Sequence, residues 1–515
     1  MIYPKIVKNR LNLIFIAHLL MFGLVVFGWW PRTIVPFWAG ALLIYCLLVP
    51  LEETVLFFVR SIPFFVALPL TTNFDNFNMW RILALVIFLR WLTLEKIKNL
   101  LKPKTPVAFS LWLIIIAATF SLLVAASPAL ALRRIIYFLN LALIGIVIQW
   151  LARHREFAKR LIANITIPTM LVIALGFFQL WTTYVMNIFQ FVDLWCGIIE
   201  RNLYGNAWAE IALKANTWFA YFGDRLSLRM FSIFPDSHSF PMFVIFGLPA
   251  IMAYALEKVV ALNISYRGLA KSRGRIWLVF VPLAFLAVIL SGTRGMWVAG
   301  AVSLFWTACL IYWVASNRVD HFQQSVFRYL ATYLVFFLML FTVAYPIFGS
   351  AQFQVSKEDA GVFARRVRSA FDFGETSNAR RIEIWKASLA SIKKHPWLGV
   401  GIGNFPVVVG EDLARAKAGS SAHNLYLHIA AELGVPAFLV ALYFLWLLLA
   451  KCYRNFLVEK DPLLLIYFGA MLIFLPWNLF YLFTDVAIFD ERVFLLFVTT
   501  VALLLSQNGK TTHLN

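Results

Sequence analysis

The chain has 515 residues, 62% hydrophobic and 17% aromatic, with only 14% charged. That balance excludes a water-soluble fold of this size, whose exterior would need far more charge, and predicts an all-α polytopic membrane protein. The formal charge of +20 does not imply nucleic acid, because most Lys and Arg fall in short loops between apolar runs, the signature of a cytoplasmic face.

The first apolar run, 11–30, follows Lys5, Lys8 and Arg10 and ends in Trp-Trp-Pro-Arg instead of a small-residue cleavage site, so an uncleaved span is expected. Further spans are predicted at 33–50, 54–70, 80–94, 106–126, 134–151 and 161–182, which closes an N-terminal membrane unit at 1–182. The 54–70 run is interrupted by Arg60 and Pro63 and has a re-entrant loop as its alternative. An aromatic-rich loop, 183–237, precedes a central unit, 238–348, with spans at 238–256, 276–291, 296–315 and 327–348. A larger loop, 349–422, leads to a C-terminal unit, 423–515, with spans at 423–450, 463–482 and 492–506. The total is about 14 spans. Alternate loops are basic, with four Lys in 95–105, four Lys or Arg in 152–160 and five in 257–275. This assigns the N-terminus to the cytoplasm and both long loops to the outside. The loop 349–422 carries 11 Lys or Arg against seven Asp or Glu, and loops of that length translocate regardless of charge. Cys46, Cys196, Cys309 and Cys452 show no paired spacing and imply neither a disulfide framework nor a zinc site.

Chemistry-bearing residues gather on the external side. In "RMFSIFPDSHSFPMF", 229–243, Asp236 and Ser237 read as helix N-cap residues, and His238 titrates near neutral pH or simply hydrogen-bonds. In "LSGTRGMWVAG", 290–300, Arg294 occupies a very short external turn, either anchoring at the interface or aimed into a cavity. In "TSNARRIEIWKASLASIKKHP", 376–396, Ile382, Trp385, Leu389 and Ile392 mark one stripe of an amphipathic helix. Arg380 and Arg381 lie in its first turn, against the dipole, where free amides and guanidinium groups favour an anion. "PWLGVGIGNF", 396–405, lacks the spacing of a nucleotide loop and reads as a flexible turn. No DxD pair and no HExxH occurs, so metal-dependent sugar-nucleotide or protease chemistry lacks its ligands. In "SSAHNLYLHIAAELGVPAFLVALYFLWLLLA", 420–450, Asn424, His428 and Glu432 share one helix face, as interhelical glue or as a polar lining. His423 lies roughly 140° around the axis from His428, at the water boundary, where an imidazole suits a general base.

In this order, "SGTRGMW", "RRIEIWKASLASIKKHPWLGVGIGNF" and "AHNLYLHIAAELGVPAF" resemble the O-antigen ligase and O-antigen polymerase family, most densely over about 285–450. The resemblance implies a GT-C-like glycosyltransferase in the bacterial inner membrane, working on the extracytoplasmic face. It moves a glycan from an undecaprenyl diphosphate carrier to a hydroxyl on a glycan, lipid or protein acceptor, inverting the anomeric centre with no metal and no cofactor. By position it implies Arg294 and Arg381 as diphosphate ligands, Arg229 by a looser match with Arg380 assisting, and His423 as the catalytic group. The local "FPDSHSF" departs from the family's Pro-Asn pattern, which leaves Asp236 and His238, with Asn424, as acceptor or glycan contacts. The motifs do not separate polymerase from ligase; the long external loops leave room for a large glycan acceptor and favour polymerase. Membrane lipids, a chain-length regulator and a flippase are the further partners such a role suggests. The rival of another class is an anion transporter, which would place its charge near the midplane on broken helices, often in repeated halves. Here the charges sit at one face and no repeat appears. A non-catalytic export scaffold would tolerate alanine at Arg294, Arg381 and His423.

Overall fold

Apolar helices build almost all of the computed structural model, which describes residues 3–70, 77–94, 105–215, 217–222, 225–262, 275–316, 321–353, 376–411 and 421–506. The N-terminal unit comprises α1 (Tyr3–Val26), α2 (Val35–Leu48), α3 (Leu51–Ser61), α4 (Met79–Leu94), α5 (Pro106–Phe120), α6 (Pro128–Leu151) and α7 (Arg155–Val185). The next segment folds as α8 (Ile188–Val192), a π-helical turn Asp193–Glu200, α9 (Arg201–Tyr204), α10 (Asn206–Ala215) and a hairpin of β1 (Phe219–Phe222) and β2 (Arg225–Leu228). The strands pair antiparallel with Phe219 opposite Leu228. There follow α11 (Ser239–Leu262), α12 (Arg275–Leu290), α13 (Arg294–Ser316), α14 (His321–Phe348), α15 (Thr376–Lys394), α16 (Leu425–Val458), α17 (Pro462–Tyr481) and α18 (Glu491–Ser506). The basic segments 95–104 and 263–274 lie outside the described residues, as do 354–375 and 412–420 of the large loop.

Among the described residues eight helices are long and apolar enough to cross a membrane, and three shorter apolar helices accompany them. The chain is thus an all-α membrane protein. Helices α11 and α17 pack on each other at its centre, with 94% of each span buried, while α13, α14 and α16 turn Phe305, Tyr345 and Trp446 outward. Such an apolar exterior suits lipid and not water.

Among the described residues the expected total of about 14 spans is not confirmed, for reasons local to several segments. The 54–70 run ends as a helix at Ser61, because Pro63 removes an amide donor. The chain then turns back through a bridge between Ala67 and Asn78. Arg60 stays inside because Asn164 and Asn12 accept its hydrogen bonds at 2.6 and 2.7 Å. Helices α4 and α18 have 16 residues each, short of a full crossing. The 183–237 segment packs much of its aromatic content inward. Trp195 and Trp218 are buried against Phe231, with ring centroids 6.0 and 4.4 Å away, and join the main apolar core.

Helix α16 resolves a contradiction in its sequence, which starts polar and ends as pure hydrocarbon. It is two helices joined at Gly434, whose φ of 84° suits glycine alone. A Cβ there would overlap the Trp397 carbonyl. Pro436 lacks the amide that would bond the Glu432 carbonyl, and Val435 donates instead to the Pro396 oxygen at 2.8 Å. The freed carbonyls of Ala431 and Glu432 accept from the Val400 and Gly401 amides at 2.9 and 3.0 Å. The segment 396–405 is therefore a clamped wedge that completes a broken helix, and not a flexible turn. The polar half, with His428 and Glu432 buried, packs against protein, and the apolar half makes the span.

Candidate functional site

Three short segments meet at one end of the bundle: the approach to α11, the turn between α12 and α13, and the approach to α16. The α12–α13 turn is tight, and Gly292 adopts a φ of 63° within it. Arg229 packs so close that a Cβ on Gly292 would lie 2.9 Å from its Cγ. Arg229 Nε donates to the Ser291 carbonyl and Nη2 to Thr293 Oγ1, both at 3.3 Å. Thr293 Oγ1 in turn donates to the Ser237 carbonyl at 2.8 Å. Arg294, the next residue, is exposed and close enough to Arg229 to repel its charge. Burial pulls the Arg229 guanidinium down to about 10, so it stays cationic at neutral pH.

The approach to α11 is set by Asp236, whose Oδ1 accepts from the His238 and Ser239 amides at 2.8 and 2.6 Å, an N-cap. Burial raises its carboxyl above the usual range, against the pull of those amides. His238 Nε2 lies 3.3 Å from Arg229 Nη2 and so accepts from it, which places the ring proton on Nδ1. That nitrogen faces Asp485 Oδ2 at 3.9 Å. Burial lowers His238 to about 3, leaving the ring neutral at physiological pH.

Asn424 starts α16, its Oδ1 accepting from the Tyr426 and Leu427 amides at 3.0 and 3.1 Å. His423, just before it, has a φ of 46°, an unusual conformation for a side-chain-bearing residue. Its neighbour Ala422 is held on both sides. The Ala422 carbonyl accepts from Trp385 Nε1 on α15 at 2.9 Å, and its amide points at His428 Nδ1 at 3.5 Å. His428 Nε2 faces Glu432 Oε1 at 3.4 Å, and that oxygen also accepts from the Phe405 amide at 3.0 Å. Phe405 stacks on the His428 ring at 4.8 Å. The result is a strained His423 whose Nδ1 is buried and faces Asp485 Oδ2 at 3.9 Å, while 41% of its side chain is exposed.

Asp485 is thus shared by two imidazoles. Burial alone would raise its carboxyl, but His238, His423 and Arg381 together hold it well below the usual range. Its Oδ1 accepts from the Val486 amide at 2.8 Å. Helix α15 brings Arg381 within electrostatic reach of Asp485 and His238. Arg380, the preceding residue, is exposed. The α15 face that docks on the wedge carries Ile384, Trp385, Ser388 and Ile392, whereas Ile382 and Leu389 of the expected stripe are exposed.

Residues 278–442 match the O-antigen ligase family model. The match falls on the segment that carries the three motifs. A comparison with curated proteins finds no match to the chain. The matched segment contains Arg294, Arg380, Arg381, His423 and the wedge, but not Arg229, Asp236, His238 or Asp485. Asp485 is the residue that sequence reasoning missed. The only hint was an acidic side chain in the short link between the last two apolar runs, on the same side as His423.

Proposed function

We propose that the chain is a glycosyltransferase of the bacterial inner membrane. Its donor is a glycan on undecaprenyl diphosphate, and its acceptor a hydroxyl of a second lipid-linked glycan, so that surface polysaccharide grows by block transfer on the extracytoplasmic face. The observation that carries this reading is the meeting of His423, which faces Asp485 at 3.9 Å, with Arg381 and Arg229 in reach of the same carboxylate and Arg294 beside Arg229. Three guanidinium groups against the carboxylates of Asp485 and Asp236 leave a cationic excess that calls for an anion of diphosphate grade.

The acceptor hydroxyl attacks the anomeric carbon from the face opposite the diphosphate. The new C–O bond forms as the bond from the anomeric carbon to the diphosphate oxygen breaks, and the lipid diphosphate leaves with the electron pair. His423 takes the hydroxyl proton at Nε2, its Nδ1 edge being buried toward Asp485, whose charge favours the imidazolium that forms. Arg294 and Arg381 neutralise the charge that develops on the leaving oxygen, with Arg229 behind them. Direct displacement inverts the anomeric centre, and no metal enters the scheme. Asp236 and Asn424 hold the two helix starts that frame the cavity, and His238 braces Arg229.

The test is transfer by purified protein in lipid nanodiscs, with an undecaprenyl-diphosphate-linked oligosaccharide as sole substrate and products resolved by size. A ladder of lengths, with released lipid diphosphate, is expected, and His423→Ala should lower the rate by about 10²- to 10⁴-fold. Unchanged turnover in His423→Ala would overturn the mechanism. A second reading, ligation to a lipid core or a protein, is favoured by the description of the matched family. It predicts one transferred block, and only when that acceptor is added.

A further inference from the structure

Two further arginines lie at the helix ends that face the same side of the bundle. Arg81 is in the first turn of α4, and Arg134 near the start of α6. Both guanidinium groups sit over one ring, Tyr137, with carbon-to-centroid distances of 5.1 and 5.6 Å. Arg134 also lies 5.0 Å from Phe138 and 4.9 Å from Phe489, and Arg81 5.5 Å from Trp80. Ring contacts stabilise a cation only weakly and do not neutralise it. Among the described residues neither guanidinium forms an ion pair. The Nε of Arg81 is buried with no hydrogen-bond partner, a donor left over. The carboxylates of this region are already engaged. Glu432, within electrostatic reach of Arg134, faces His428 and accepts from the Phe405 amide. Asp490 Oδ1 accepts from the Arg492 and Val493 amides, and Glu491 Oε1 from Asn78 Nδ2 at 2.8 Å.

The position of these arginines suggests the source of the missing anion. Leu85 and Leu89, one and two turns along α4 on the same face as Arg81, are exposed, so that arginine sits at a lipid-facing flank of the helix ends. The pair also adjoins the transfer site. The segment 485–489 carries Asp485, which faces His423, at one end and Phe489, which meets Arg134 and lies 5.3 Å from His428, at the other. We propose that Arg81 and Arg134 form a second phosphate site, separate from Arg229, Arg294 and Arg381, that holds the lipid-phosphate end of the acceptor. The inference rests on the transferase reading and sharpens it: the acceptor is carried on a phosphate-bearing lipid and not on a polypeptide. The site takes no part in bond making; it fixes where the acceptor's lipid stands while its sugar reaches His423.

Anionic phospholipid presents the same chemistry, so the experiment separates the two. The full chain in phosphatidylcholine nanodiscs is titrated with undecaprenyl diphosphate, and bound lipid is counted by native mass spectrometry. Wild type should hold a second equivalent that Arg81→Gln/Arg134→Gln weakens by about 10- to 100-fold. Arg294→Gln/Arg381→Gln should lose the first equivalent and keep the second. The Arg81→Lys/Arg134→Lys variant retains charge without the planar stack, and should bind between the two, with unfolding temperature as a control for ring packing. Undiminished binding in both pairs of Arg81 and Arg134 variants would overturn the inference. So would displacement of the second equivalent by an equal amount of phosphatidylglycerol. A first equivalent that ignores Arg294 and Arg381 would instead count against the transferase reading and leave the second site standing.

Discussion

The two ends of the helix bundle carry similar basic residues and treat them in opposite ways. At one end Arg155 pairs with Glu459 at 2.9 Å, Arg160 with Glu52 at 3.1 Å, and Lys159 with Asp461. At the other, Arg229 and Arg381 lie in reach of Asp485 with Arg294 beside Arg229, and Arg81 and Arg134 rest on aromatic rings. The first end is electrostatically finished. Among the described residues, these three pairs hold the start of α7 against the α16–α17 turn and the start of α3, and their charges are spent on each other. The second end holds cations in excess, some of them half-buried, in a strained frame. That arrangement lowers stability unless an anion arrives, and a site is where such a debt is tolerated.

The widest separation between the ends should appear in paired neutralisations. Arg155→Ala/Arg160→Ala removes two half-exposed pairs, each of a kind worth about 0–1 kcal/mol, and should leave transfer unchanged. Arg294→Gln/Arg381→Gln should lower kcat by about 10²- to 10³-fold, with an unfolding temperature equal to wild type or slightly higher, as like charges part. Turnover and thermal unfolding measured on the same nanodisc samples would decide. A site end that loses stability but keeps its rate would erase the distinction between the two ends.

Much of this contrast was readable in the sequence, and the unread part has a physical cause. Apolar runs mark spans because lipid demands them. Asn424, His428 and Glu432 were assigned to one helix face because four-residue spacing is a local rule. Asp485 could not be reached that way. Its partners His238 and His423 lie on other segments, and only the packing of α11, α16 and α17 brings them together. The wedge failed for a related reason. Its glycines suggest freedom, but the Val400 and Gly401 amides are bound by carbonyls that Gly434 and Pro436 release some thirty residues later. The composition of the aromatic segment 183–237 does not say where its rings lie, because the packing of Trp218 and Trp195 on Phe231 is a tertiary contact.

A smaller effect is expected where the strained frame is braced. Glu432 touches no reacting group; it holds the Phe405 amide and faces His428, which contacts Ala422 beside His423. Glu432→Gln keeps an acceptor for Phe405 but weakens the hold on His428. It should lower kcat roughly 10-fold with KM nearly unchanged, since a slightly misplaced base slows proton transfer without altering binding. Glu432→Asp, a shorter carboxylate, should recover part of that loss. A change confined to KM would mean that the brace serves substrate binding, and an equal loss in both variants would point to packing alone.

The smallest effect concerns a residue that serves the frame at a cost set by pH. Burial pushes the Asp490 carboxyl up to about 7, against the pull of Arg492. Its Oδ1 caps α18 through the Arg492 and Val493 amides at 3.0 and 3.2 Å. Its folded pKa lies above the unfolded value of about 3.9. The folded state therefore binds the proton more tightly, and the stability this contributes is complete below that value and is lost as pH rises toward 7. Asp490→Asn keeps the capping oxygen and cannot ionise. Unfolding temperatures should then differ little between variant and wild type at pH 4, and favour the variant by a few degrees at pH 8. An equal difference at both pH values would show that the carboxylate is already paired, as at the opposite end of the bundle, and would move Asp490 from the strained frame to the finished one.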